Sequence, residues 1–191
     1  MNAAEQLFRE LAEHWDGPPL PALRIIGSTA LMLQTDWERG TKDSDLLETL
    51  DMEEQIKTRL LELAGPKSVL ARRWRMYLDV VSNGVPFLPQ VPTWHPTDLD
   101  IDLDLQVLDI VDVVVSKLKR FSAADVGDID AMVEKGLVPH RQLIERFEDA
   151  VDFWSGDARA TDLSRFVSNL NTVERDLLLV EPTPIDLPSW V

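Results

Sequence analysis

Apolar positions along the chain change their period several times, and each change marks an element. Leu7, Phe8, Leu11 and Trp15 recur at helical spacing, so residues 3–15 are read as an amphipathic helix that Gly17-Pro18-Pro19 ends. Arg24 to Gly27 reads as a short buried strand, and Ser28 to Gln34 as a helix begun at the Gly-Ser turn. Asp43 to Leu50 reads as a second strand, and Glu53 to Ala64 carries Ile56, Leu60, Leu61 and Leu63 on a helical period closed by Gly65-Pro66. Met76 to Val81 is a third strand. Val85 to Pro96, with four prolines, reads as a surface loop. Asp98 to Leu105 alternates aspartate with Leu99, Ile101, Leu103 and Leu105, the period of a half-buried strand with an acidic outer face.

From Ile110 onward the period is helical. Ser122 and Asp125 form the frame of a capping box for a helix that Gly136 ends, and further helices fit Pro139–Trp154 and Thr161–Leu179. The proline-containing tail 181–191 is expected to be extended and to pack back through Trp190. Strands first and helices after predict an α+β fold, a mixed sheet flanked by helices with a helical C-terminal half. The expected division is an α/β core over residues 1–122 and a helical segment over 123–191 packed on it.

Candidate chemistry concentrates early. Asp43 and Asp45 flank Ser44, so in a strand their carboxylates leave the same face. Two like charges so placed repel unless a cation lies between them. Hard divalent ions such as Mg²⁺ or Mn²⁺ take oxygen ligands of this kind and also bind phosphates. Gly27 and Ser28, opening a helix, offer backbone N–H groups and a positive dipole end to a triphosphate. A third carboxylate is sought for a two-metal site. Asp79, a lone acid in an apolar strand, is favoured over the stripe Asp98, Asp100, Asp102 and Asp104, which reads as a solvated edge. Arg39 and Lys42, just before the acidic strand, are candidate phosphate contacts.

Gly27-Ser28 followed by Asp43-x-Asp45 resembles the signature of the nucleotidyltransferase superfamily, in which a Gly-Gly or Gly-Ser turn precedes an Asp-x-Asp strand. The segment Asp112 to Asp130 is similar to the Lys…Arg…Asp-x-x-Asp pattern of the branch that holds bacterial abortive-infection and toxin–antitoxin nucleotidyltransferases. Residues 20–150 carry the resemblance, which extends to a bacterial family of uncharacterised nucleotidyltransferase-like proteins. Ser44 stands where the superfamily usually has an apolar residue. The resemblance implies Mg²⁺ or Mn²⁺ as cofactor, held by Asp43, Asp45 and a third acid on a following strand, with an NTP as substrate. It also implies that Lys117 approaches the nucleotide phosphates, with Arg120, Asp125 and Asp128 in support. The expected reaction is transfer of a nucleoside monophosphate to a hydroxyl on an RNA end or a protein, and the sequence leaves both acceptors open. The alternative is a nucleotide-binding component of a toxin–antitoxin or defence pair that does not turn over, with a cognate antitoxin as partner.

Composition narrows this further. The net charge of −15, from 19 basic and 34 acidic side chains, opposes non-specific binding of double-stranded DNA. With no cysteine, disulfides, thiolate metal sites and cysteine nucleophiles are excluded. No apolar run reaches transmembrane length and the start lacks a basic-then-apolar leader, so a cytoplasmic location without a membrane partner is expected. The three histidines have no metal-ligand spacing. The basic run Arg72-Arg73-Trp74-Arg75 is read as a solvated face.

Overall fold

The computed structural model describes residues 2–156 and 158–189, so Trp190 lies outside the described residues. Its element order is α1 (Ala3–His14), β1 (Leu23–Ile25), α2 (Gly27–Gln34), β2 (Asp43–Leu47), α3 (Glu54–Ala64), α4 (Val69–Trp74), β3 (Tyr77–Val81), β4 (Trp94–Pro96), β5 (Leu105–Leu108), α5 (Ile110–Lys117), α6 (Ala123–Glu134), α7 (His140–Ser155) and α8 (Leu163–Thr172), followed by a π-helical turn over Val173–Leu177. The fold is α+β, with a five-stranded mixed sheet in the order β3-β2-β1-β5-β4 and a helical C-terminal half.

The chain forms two compact units. The first comprises residues 1–85 and 94–108, the second residues 86–93 and 109–191. In the second unit α5 packs with α6 and α7. In the first unit β1 pairs antiparallel with β2 and parallel with β5, and β2 pairs parallel with β3. The parallel link from β2 to β3 is made by α3 and α4, as parallel pairing requires a crossover. Leu7, Phe8, Leu11, Leu23, Ile25, Leu31, Leu46, Leu60 and Leu78 are fully buried in this unit. Asn2 and Glu5 close a capping box on α1, and Ser68 caps α4 through the Ala71 amide at 2.9 Å.

Two expectations fail here. Residues 98–104 are not a strand: β4 and β5 are antiparallel neighbours, and this acidic segment is the loop that joins them. Alternation survives in exposure, the aspartates facing solvent and Leu99, Ile101 and Leu103 half-buried, but the ladder begins only at the buried run Leu105–Leu108. Four like charges in succession favour a bent, solvated loop over a straight paired strand. The proline-rich stretch 85–96 is likewise no plain surface loop. Trp94–Pro96 is an edge strand, where proline's missing N–H is tolerated, and Phe87 and Leu88 are buried.

In the second unit Phe87 packs against Phe147, Trp154 and Phe166, with ring centroids 5.5, 5.4 and 4.9 Å away. The same segment is tied down by polar contacts. Asp112, wholly buried, pairs with Arg146 at 2.6 Å and accepts from the Thr93 amide at 2.8 Å, and Arg146 also donates to the Val91 carbonyl at 2.9 Å. The capping box anticipated at Ser122 and Asp125 is present on α6. Among the described residues no helix is long and apolar enough to cross a membrane.

Candidate functional site

Strand β2 does what its spacing dictates. Ser44 and Leu46 point into the core with no exposure, while Asp43 and Asp45 leave the opposite face. The parallel neighbour β3 brings Tyr77 into register with Asp43, and Asp79 into register with Asp45. With Leu78 fully buried, Tyr77 and Asp79 take the outer face of β3. Asp43, Asp45, Asp79 and Tyr77 thus share one face of two adjacent strands. Asp79 is exposed, so burial cost is not what explains it; its place beside Asp45 is. The acidic loop 98–104 precedes β5, which β1 separates from β2.

Gly27 sits against this face. Its φ of +66° lies in the left-handed region that side chains disfavour, and a Cβ there would stand 3.1 Å from the Asp45 Oδ2. The Ile26 amide donates to the Asp45 carbonyl at 2.9 Å, fixing the turn to the acidic strand. Helix α2 is entered from Ile26, which gives it no side-chain cap, so Ser28 is not the N-cap that its position invites. The Asp45 carboxylate itself lies against the start of this helix, which brings the Gly27 turn and the acidic strand together.

The carboxylates are not gathered into a cage. Asp43 accepts from the Thr41 hydroxyl at 2.7 Å, and Asp79 from the Val80 amide at 3.0 Å. Among the described residues no group of three acids or histidines is close enough to hold a metal ion. Their chemistry suits a hard divalent ion, since all three are oxygen donors at the solvent-facing side of the strands. Their fields also meet: the Tyr77 hydroxyl is pushed above its usual pKa by burial first, then by Asp43, Asp79 and Asp45. Glu48 is occupied elsewhere, pairing with Lys57 at 2.9 Å and accepting from Ser82.

A cavity of about 590 Å³ opens at the start of β2 and β3. Arg39, Lys42 and Arg75 line it with Glu38, Thr41, Met32, Met76 and Trp74. It reaches the acids through Thr41, which holds Asp43, and through Lys42, whose carbonyl accepts from the Tyr77 amide at 2.8 Å. Sequence reasoning singled out Arg39 and Lys42, read Arg75 only as part of a solvated basic run, and missed Tyr77. A signal existed for Tyr77, which shares parity with Asp79. For Arg75 the signal was the basic run Arg72-Arg73-Trp74-Arg75, but its position is set by the left-handed residue that follows α4 (Arg75, φ +54°).

Lys117 and its companions belong to the second unit. Lys117, 6% exposed, ends α5 with its Nζ 2.6 Å from Asp128 and 3.3 Å from Asp125 on α6. Arg120 forks onto Asp125 with two bonds of 2.8 Å, and the Ser122 hydroxyl donates to the same carboxylate. Burial raises the Asp125 carboxyl, but Arg120, Ser122 and Lys117 outweigh it and hold it well below the usual carboxylate range. Here the Lys…Arg…Asp-x-x-Asp pattern is a charge network, buried at Lys117, Asp125 and Asp128 and exposed at Arg120, that ties α5 to α6.

The model of one protein family matches residues 3–177, nearly the whole chain, and that family is described as a nucleotidyltransferase of unknown function (DUF6036). No curated protein and no solved structure matches.

Proposed function

Because this chain belongs to a family of nucleotidyltransferases of unknown function, we propose that it transfers a nucleoside monophosphate from an NTP to an acceptor hydroxyl, with Asp43, Asp45 and Asp79 as the catalytic acids. The observation that carries this is the register of β2 and β3, which sets Asp79 beside Asp45 within reach of the Gly27 turn. In the reaction the acceptor oxygen forms a bond to the α-phosphorus, the α–β phosphoanhydride bond breaks, pyrophosphate leaves with the electron pair, and the hydroxyl proton is released.

The roles follow from placement. Gly27 and Ser28, at the start of α2, receive the triphosphate on backbone N–H groups and a hydroxyl. Gly27 lets the phosphates approach closely because a side chain there would crowd Asp45. Asp43, Asp45 and Asp79 would hold Mg²⁺ or Mn²⁺, which when bound neutralises phosphate charge and makes the acceptor hydroxyl a better nucleophile. Each of the hydrogen bonds to Asp43 and Asp79 occupies one carboxylate oxygen and leaves the other for a cation. Arg39 and Lys42 add positive charge beside Asp43. Lys117 serves by holding α5 and α6 together rather than by meeting phosphate directly.

The test is incubation with each labelled NTP and Mg²⁺ or Mn²⁺, with RNA ends and proteins as acceptors, scoring pyrophosphate and labelled product. Transfer should appear with wild type and vanish with Asp45→Asn while the variant stays folded. Tight NTP binding without turnover over the whole panel would make the chain a nucleotide-binding component instead.

A further inference from the structure

The chain has one tyrosine, and β3 sets it among the acids. Tyr77 is in register with Asp43 and shares the outer face of the two strands with Asp45 and Asp79. Side chains on a strand stand roughly perpendicular to the sheet. A tyrosine outreaches an aspartate, so the phenol oxygen stands beyond the carboxylates, on the side from which a substrate comes. All three acids act on that one phenol, which agrees with this placement.

Tyr77 is half-buried, yet among the described residues its hydroxyl makes no hydrogen bond. A tyrosine O–H in such a setting usually finds a partner, and a phenylalanine would serve packing alone. The other hydroxyls near the acids are committed. Thr41 donates to Asp43 at 2.7 Å, Ser44 is buried on the core side of β2, and Ser28 stands in the turn that takes the donor's phosphates. Position along the strands adds a direction. The Gly27 turn lies against Asp45, whereas Tyr77 stands in the row of Asp43, so turn and phenol flank the Asp-x-Asp pair from its two ends. Phosphoryl transfer needs the attacking and leaving oxygens roughly in line. A triphosphate held at the turn leaves as pyrophosphate on one side, and the phenol faces the α-phosphorus from the other.

We propose that Tyr77 is itself an acceptor hydroxyl, marked with one nucleoside monophosphate by the chain that carries it. The proposal rests on the nucleotidyl-transfer reading above and adds a modification site to it. In the step the Tyr77 Oη forms a bond to the α-phosphorus and the α–β phosphoanhydride bond breaks. Pyrophosphate leaves with the electron pair, and the phenolic proton passes to water. The product is a phosphodiester on the one tyrosine, so marking stops at one nucleotide per chain.

The experiment incubates the full chain with each NTP and Mg²⁺ or Mn²⁺, without added acceptor, and reads its intact mass and the masses of its proteolytic peptides. Wild type should gain one nucleoside monophosphate, on the peptide that holds Tyr77. Tyr77→Phe should lose the whole gain while melting near wild type and binding NTP within about twofold of it. In a mixture of wild type with tagged Asp45→Asn protein only the wild-type chain should be marked, because acids and phenol act within one chain. Marking of another residue, marking of the tagged chain, or loss of NTP affinity in Tyr77→Phe would overturn the proposal. So would wild-type transfer to an added RNA or protein acceptor with Tyr77 unmarked, a result that leaves the nucleotidyl-transfer reading standing. No transfer to Tyr77 or to any added acceptor would remove both.

Discussion

Replacing Lys117 by methionine keeps most of the side chain's volume and deletes its charge. The ammonium it removes lies 2.6 Å from Asp128 and 3.3 Å from Asp125, whose side chains are 1% and 2% exposed. Taking one partner from a buried ion network leaves carboxylate charge in a poor solvent, a loss of about 3–5 kcal/mol. For a chain of this length that corresponds to a fall in Tm of roughly 6–20 °C. Urea titration followed by tryptophan fluorescence reads the loss directly.

The loss should also depend on pH with a definite sign. Asp125 is held below its unfolded value of about 3.9, so its contribution is complete above that pH and disappears as pH falls through the folded value. The gap between wild type and Lys117→Met should therefore be widest near neutrality and narrow below about pH 4. Adding Asp128→Asn to Lys117→Met should restore part of the stability, because the stranded charge is then gone. A Lys117→Met protein melting within about 2 °C of wild type at neutral pH, a difference of under about 1 kcal/mol, would refute the network argument. If NTP affinity fell at the same time, Lys117 would be a phosphate ligand after all.

Gly27→Ala should lower Tm by roughly 2–8 °C, from about 1–2 kcal/mol of left-handed strain, and should weaken NTP binding because its Cβ meets Asp45 Oδ2; thermal melts with and without nucleotide check both. Millimolar Mg²⁺ or Mn²⁺ with an NTP should raise the melting temperature, by the equivalent of about 2.7 kcal/mol when the ligand is at a hundred times its Kd. The double variant Asp43→Asn with Asp45→Asn should lose that gain and be at least as stable as wild type without metal, since the change relieves repulsion between like charges on one strand face. A wild-type melt unmoved by every metal–NTP pair would argue against a phosphate–metal site.

The elements legible from sequence were those with a local cause. Alternation about Ser44 was enough to place Asp43 and Asp45 on one face, and Ser122 with Asp125 to start α6. Asp79 was singled out as a lone acid in an apolar strand and by resemblance, but its register beside Asp45 was not legible, because a parallel register is set by a crossover of two helices and leaves no local trace. The segment 98–104 shows how a two-residue period misleads: it reports which side chains meet solvent, and a hairpin loop can satisfy it as well as a strand. Phe87 was hidden by its setting, a proline-rich run whose burial depends on partners some 60–80 residues later. Lys117 sits eight residues before Asp125, so the sequence cannot distinguish a surface ion pair from the buried one that two packed helices create.

The threading of the two units has a consequence for synthesis on the ribosome. Every residue of the first unit has been made once Leu108 is added, but Pro86–Thr93, inserted between its strands, belongs to the second. Phe87 and Leu88 must then wait for Phe147, Trp154 and Phe166, about 60 residues of further translation, or on the order of 3–12 s at roughly 5–20 residues per second. Throughout that interval the nascent chain displays an apolar pair that the finished protein conceals, flanked by Pro86 and Pro89. Those prolines are poor partners for strand pairing, so the waiting segment is guarded against its neighbours on the polysome. For the same reason the helical unit is not a contiguous module: a gene fragment beginning at Asp109 would encode a core without its Phe87.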